Sequence, residues 1–220
     1  MRKVKKFKLT SEFIVDISGV KLFRIKALIE FGNVKAGDLG GYIEKEENLS
    51  HMGDAWVSDD ARISGDAQVF GNAWVFGNAR VSGNARVSGN AQVFGDAWVS
   101  GDTQVFGDAR VFGNAWVSGN AWVFGDAQVF GNARVSGDAQ VFGDARVSGD
   151  KDYAYAHGFG SCNRTTTFFR LKDGDVGVRC GCFYGTLAQF RDKVCETHGE
   201  TKKAQEYLML ADLMEIRFKN

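Results

Sequence analysis

Proline is absent from all 220 residues of the chain. Every rung of a hydrogen-bonded ladder needs an N–H that proline lacks, so its absence suits a long, unbroken ladder. Net charge is absent as well, because 27 Lys and Arg balance 27 Asp and Glu. That balance removes any global pull toward nucleic acid or an anionic membrane, and neither is expected as a partner. No apolar run is long enough to span a bilayer; "YLMLADLM" near the end is short and broken by Asp212. The basic opening "MRKVKKFK" is not followed by the apolar run of a signal peptide, and it reads as a solvated tail rather than a nucleic-acid arm. A cytoplasmic protein is expected. Cysteine is confined to Cys162, Cys180, Cys182 and Cys195, which read as free thiols of a reducing compartment rather than a disulfide framework. Histidine is limited to His51, His157 and His198.

What is present is repetition. From Gly53 to Ser148 the chain runs through sixteen hexads of the form G-[ND]-A-x-V-[FS] without insertion or deletion, and only Asp59, Ile63 and Thr103 break the consensus. A six-residue period is too short for helical repeats and predicts a parallel β-helix. Within A-x-V-[FS], Ala and Val face one side of a short strand while x and Phe or Ser face the other. Gly with Asn or Asp makes the corner, since these residues tolerate the left-handed backbone of a sharp bend. Three hexads close one triangular coil, and the sixteen give a little over five coils in a prism roughly 25 Å tall at ~4.8 Å per coil.

Rotated to A-x-V-[FS]-G-[ND], the hexad resembles the hexapeptide repeat of left-handed parallel β-helices, with Gly one place later than is commonest there. The left-handed winding is implied by that resemblance. The flanking "KLFRIKALIEFGNVKAGDLGGYIEKEENLSHMGDAWV" (21–57) and "RCGCFYGTLAQF…ETHG" (179–199) are similar to the caps of hexapeptide-repeat proteins encoded by bacteriophages and prophages. That resemblance brings no established activity. It implies an accessory role during infection, in the cytoplasm of a host cell.

The expected organisation is an N-terminal β cap over 1–52, the β-helix over 53–150 and a C-terminal ββαα module over 151–220. The module is read from a hairpin around Asp173-Gly174 and a helix over Leu187–His198, opened by the Thr186/Gln189 capping box and ended by Gly199. A second helix over Lys202–Phe218 carries Ala204, Leu208, Ala211, Met214 and Phe218 on one face.

Three chemistries are weighed. Cys180, Cys182, Cys195 and His198 offer a tetrahedral zinc set, but the first pair is spaced too closely and buried thiols are the simpler reading. Enzymes that the resemblance suggests are chiefly acyl-CoA-dependent acyltransferases with a histidine base, which here would be His51 or His157 at the prism ends. No catalytic residue, metal or cofactor is expected on this basis. The outward letters carry more. Sorted by every third hexad, one face holds Arg62, Arg80, Trp98, Trp116 and Arg134 with serine throughout its second column. Arg can fork onto phosphate or carboxylate, and Trp can stack on a base, so this is the candidate ligand-binding face. The other two faces carry Phe70, Phe76, Phe94, Phe106, Phe112, Phe124, Phe130 and Phe142 in columns of eighteen-residue spacing, one of them interrupted by Ser88. So long an apolar stripe points to self-association, as a parallel homotrimer like those of the resembling family. The expected function is non-enzymatic: binding of a nucleotide-like signal or a host protein by the faces or intersubunit grooves. An acyltransferase and a purely structural scaffold are the alternatives.

Overall fold

A computed structural model describes residues 4–161 and 163–219. The N-terminal strands are β1 (Phe7–Val15), β2 (Lys21–Ala27) and β3 (Leu39–Ile43). Sixteen two-residue strands follow, one in every six residues, from β4 (Trp56–Val57) to β19 (Arg146–Val147). They pair in parallel at a separation of eighteen residues, as in Trp98 with Trp116 and Val99 with Val117. Every third strand shares a sheet, which gives three parallel sheets wound as a β-solenoid. The first sheet runs β4-β7-β10-β13-β16-β19, the second continues from β3 through β5-β8-β11-β14-β17, and the third runs β6-β9-β12-β15-β18.

The Ala and Val of each hexad are wholly or almost wholly buried and form one continuous core. Thr103 takes an alanine place without leaving a polar orphan, because its hydroxyl donates to the Ser100 carbonyl at 2.6 Å. Corner glycines have φ between +61 and +76, and a Cβ on Gly83 would lie 2.9 Å from the backbone nitrogen of Gly101. Both the handedness of the bend and the closeness of the next coil therefore require glycine there. Asp59, the one exception, is left-handed too (φ 55) and anchors the corner by accepting from the Gly77 N–H at 2.9 Å.

The solenoid gains two further sides, which complete its leading coil. Tyr42 and Ile43 of β3 pair in parallel with Arg62 and Ile63, and Leu49 bridges to Val69. These partners are twenty residues apart, so the leading coil is two residues longer than the rest. Side chains donate where its backbone, or a coil before it, does not. The Lys6 ammonium, only 1% exposed, donates to the carbonyls of Gly53 (3.2 Å) and Ala55 (2.7 Å). The Asn48 amide donates to those of Gly65 (3.0 Å) and Ala67 (2.8 Å). Both stand in for the backbone N–H groups that a preceding coil would supply.

At the other end the expected hairpin is present as β21 (Thr166–Arg170) and β22 (Val176–Cys180). It is the centre of a larger antiparallel sheet, flanked by β20 (Tyr153–Ala156) and β23 (Phe183–Thr186). The module therefore has four strands before its helices, two more than the ββαα reading supplies. Strand period explains the division of labour between two adjacent residues. Phe169 joins the solenoid core, whereas Phe168 joins a second core beneath the helices, and both are fully buried. Helices α1 (Leu187–His198) and α2 (Lys202–Phe218) close the chain with the expected bounds, including the Thr186/Gln189 capping box. In α2 it is Tyr207, not Leu208, that is fully inserted, because its hydroxyl meets the Ser161 N–H at 3.0 Å. Among the described residues no helix is long and apolar enough to cross a membrane.

Candidate ligand-binding face

The second sheet stacks Arg62, Arg80, Trp98, Trp116 and Arg134 in register, one per coil. Four of them form a continuous ladder. The Arg80 guanidinium lies over the Trp98 ring at 5.7 Å, and the two indoles meet edge to face at 4.9 Å. The Arg134 guanidinium lies over Trp116 at 5.6 Å. Each cation covers part of one indole, a contact worth ~0.5–1 kcal/mol at an exposed site. Among the described residues none of Arg62, Arg80 and Arg134 is in an ion pair, so their charge is not cancelled by a carboxylate of this chain. Trp116 is 43% exposed, the most open aromatic ring of the ladder. The serine column beside it stays half-buried, and Ser82 accepts a long 3.5 Å bond from the Trp98 indole.

The ladder descends into a groove where the solenoid meets the C-terminal module. Arg134 and Ser136 form one wall, and Tyr155, Leu213, Met214 and Arg217 form much of the other. Burial raises the pKa of the neighbouring Tyr153 phenol, which bonds Ser136. Arg217 and the module residues were not signalled by the hexad pattern, because they join the face only through the docking of α2.

The phenylalanines behave differently from isolated exposed rings. Phe76, Phe94, Phe112 and Phe130 stack nearly parallel with centroids 4.7, 4.9 and 5.1 Å apart. Phe106, Phe124 and Phe142 continue on the next corner at 4.9 and 4.4 Å, and Tyr184 closes that stack edge-on. Most of each ring face is thereby covered within one chain, with Phe70 the exposed member. The Asn/Asp choice at the corners is also ordered. Asn84 donates to Asp102 at 2.7 Å and Asn120 to Asp138 at 2.9 Å, in a column that alternates Asp66, Asn84, Asp102, Asn120, Asp138.

The residues weighed for catalysis and metal binding are placed elsewhere. His51 stacks on Phe7 at 4.4 Å, accepts the Lys6 N–H at Nδ1 (3.2 Å) and faces Glu46 Oε1 from Nε2 at 2.6 Å. Both ring nitrogens are committed, so neither is free to take a substrate proton in this geometry. His157 is exposed and meets only the Thr165 hydroxyl, at 3.0 Å. The Cys180/Cys182 pair does not share a strand face: β22 ends at Cys180, and Cys182 lies in the Gly181 turn with Gly181 at φ +57. Cys180 bonds the Thr166 and Tyr207 hydroxyls, Cys182 and Cys195 are exposed, and His198 stacks on Tyr207. Among the described residues no group of three or more His, Cys, Asp or Glu is arranged to hold a metal ion, so the weighed zinc set is not assembled. Cys162 lies outside the described residues.

With eighteen-residue pairing in three sheets established, the comparison with known families is direct. A family model described as the YdcK beta solenoid repeat matches residues 79–93, 103–119 and 127–141. The chain is a β-solenoid repeat protein. All three matched stretches lie within the hexads, so the likeness concerns the repeat and not the two end modules. No curated protein matches the chain.

Proposed function

We propose that this β-solenoid is a non-enzymatic binding protein whose second face holds a nucleotide-like anion. The observation that carries the reading is the Arg80–Trp98–Trp116–Arg134 ladder, in which cations without carboxylate partners flank an exposed indole. Arginine offers paired donors to phosphate, and indole offers a face to a base. Sequestration of a host nucleotide signal by a phage-encoded accessory protein, in the host cytoplasm, is the concrete form of this function. Docking of a host protein on the same face is its macromolecular counterpart.

A homotrimer belongs to the same proposal. Its support is the pair of phenylalanine stacks bordering the first face, whose outer edges a neighbouring copy would cover. Sedimentation should then report three times the 24.1 kDa chain mass at micromolar concentration; a monomer contradicts the trimer.

The binding reading is tested by mass spectrometry of small molecules released from purified, heat-denatured protein. A phosphorylated ring compound in stoichiometric amount is expected. Its absence, together with no rise in melting temperature on adding nucleotides, overturns the sequestration form. With both nitrogens of His51 engaged, the acyltransferase alternative falls to the exposed His157 alone, whereas the scaffold alternative has one observation in its favour. Each ladder arginine already rests on an indole, as a purely structural stack would have it.

A further inference from the structure

The groove at the foot of the ladder has features that a solvated face lacks. It is an open groove of about 590 Å³, within the size range of small-molecule sites. One wall is the end of the second sheet, with Arg134 and Ser136; the other is the outer side of α2 and β20, with Leu213, Arg217 and Tyr155. Leu213 is 55% exposed and Tyr155 42% exposed, so an apolar side chain and an aromatic ring stand open beside two guanidinium groups.

The polar groups are oriented by the backbone. Arg217 is held at the edge because its Nη2 donates to the carbonyls of Asp150 (2.8 Å) and Tyr153 (3.4 Å). Both acceptors are neutral, so the guanidinium keeps its full charge. The Asp150 carboxylate, the one acidic side chain of the lining, accepts the Arg134 backbone N–H at 3.2 Å. Two cations against one anion leave the groove net positive, with Trp116 one coil away under Arg134.

We propose that this groove is a binding site for a mononucleotide-sized phosphorylated ring compound. Arg134 and Arg217 receive the phosphate, while Tyr155 and Leu213 receive the ring. The inference rests on the anion-binding reading of the second face and deepens it. The site lies within one chain, formed by the solenoid and its C-terminal module, rather than between subunits.

Calorimetric titration of the full chain with adenosine 5′-monophosphate, adenosine and orthophosphate tests it. The monophosphate should bind at least tenfold more tightly than either fragment. Leu213→Glu, which adds a carboxylate at an exposed position, should weaken it tenfold or more. Arg217→Gln and Tyr155→Ala should do the same, while Arg110→Gln on the first sheet should not. Arg217 also bonds two carbonyls, so Leu213→Glu guards against reading a folding defect as lost binding. If Arg80→Gln or Trp98→Ala abolishes binding while Leu213→Glu and Arg217→Gln leave it intact, the groove is overturned and the ladder reading stands. If none of the three compounds binds the wild-type chain, both fall.

Discussion

The Lys6 ammonium donates to the Ala55 carbonyl at 2.7 Å, and so acts as the N–H of a coil that is not there. Its burial lowers its pKa from 10.5 to about 8, against the opposing pull of Asp54. Between those values the unfolded chain binds more protons than the folded one, so stability rises with pH through that window. Urea unfolding should show a gain of about 1–2 kcal/mol from pH 8 to 9.5. Lys6→Met should abolish that gain. The neutral amine still has two N–H groups, so the bonds to Gly53 and Ala55 survive its deprotonation.

Asn48 does the same work for the third sheet, through donors that cannot be titrated. Asn48→Asp keeps the shape but turns both donors into acceptors facing two carbonyls. A loss of at least about 2 kcal/mol is expected, since unmade buried hydrogen bonds cost ~1–3 kcal/mol each. Chemical denaturation at neutral pH checks it.

These two caps mark the limit of what could be read from the chain. Periodicity made the three sheets legible, because each coil places the same Ala and Val inward. Local chemistry made α1 legible, because Thr186, Gln189 and Gly199 mark its ends. Lys6 and Asn48 occur once each, so no period announced them, and a basic tail is read most simply as solvated. Tyr153 was hidden for another reason: "YAYA" alternates like a strand but lies where the hexad rhythm has just failed. On the candidate face, Arg134 and Trp116 were legible as a column, whereas Arg217 and Tyr155 reach it only through tertiary docking.

Phe168 and Phe169 should separate experimentally. Each is fully buried, and truncation of such a ring costs about 3–5 kcal/mol. Phe169→Ala should lower protection from hydrogen exchange in the last solenoid coil. Phe168→Ala should instead release α1 and α2, seen as a loss of helical circular dichroism before the β signal melts.

The alternating corner column predicts a salt effect. Asn84→Asp would place three carboxylates in succession, Asp66, residue 84 and Asp102, and remove the donor to Asp102. A loss of about 0.5–1 kcal/mol at low ionic strength is expected, largely recovered in 1 M salt where the Debye length is ~3 Å. Thermal melts in the two buffers measure it.

On the proposed binding face, Trp116→Ala should weaken nucleotide affinity by roughly tenfold, the ~1–3 kcal/mol of one stacked base. The fold should be unaffected, because the indole is 43% exposed. Equilibrium titration of the variant against wild type decides this.

The eighteen-residue spacing of partners also has a genetic consequence. Slippage during copying of so repetitive a gene would add or delete whole hexads, and the core would accept any number of them. Eighteen residues more would lengthen the prism by one storey and return every downstream side chain to its own face. Six residues more would leave the core equally content but dial all later outward residues round by a third of a turn. Placed between Trp116 and Arg134, such an insertion would take Arg134 out of the Trp116 column, while the closing module, which docks on the last coil, would turn with it. The frame and the two end plugs therefore tolerate growth in single hexads, while the ladder tolerates it only in threes.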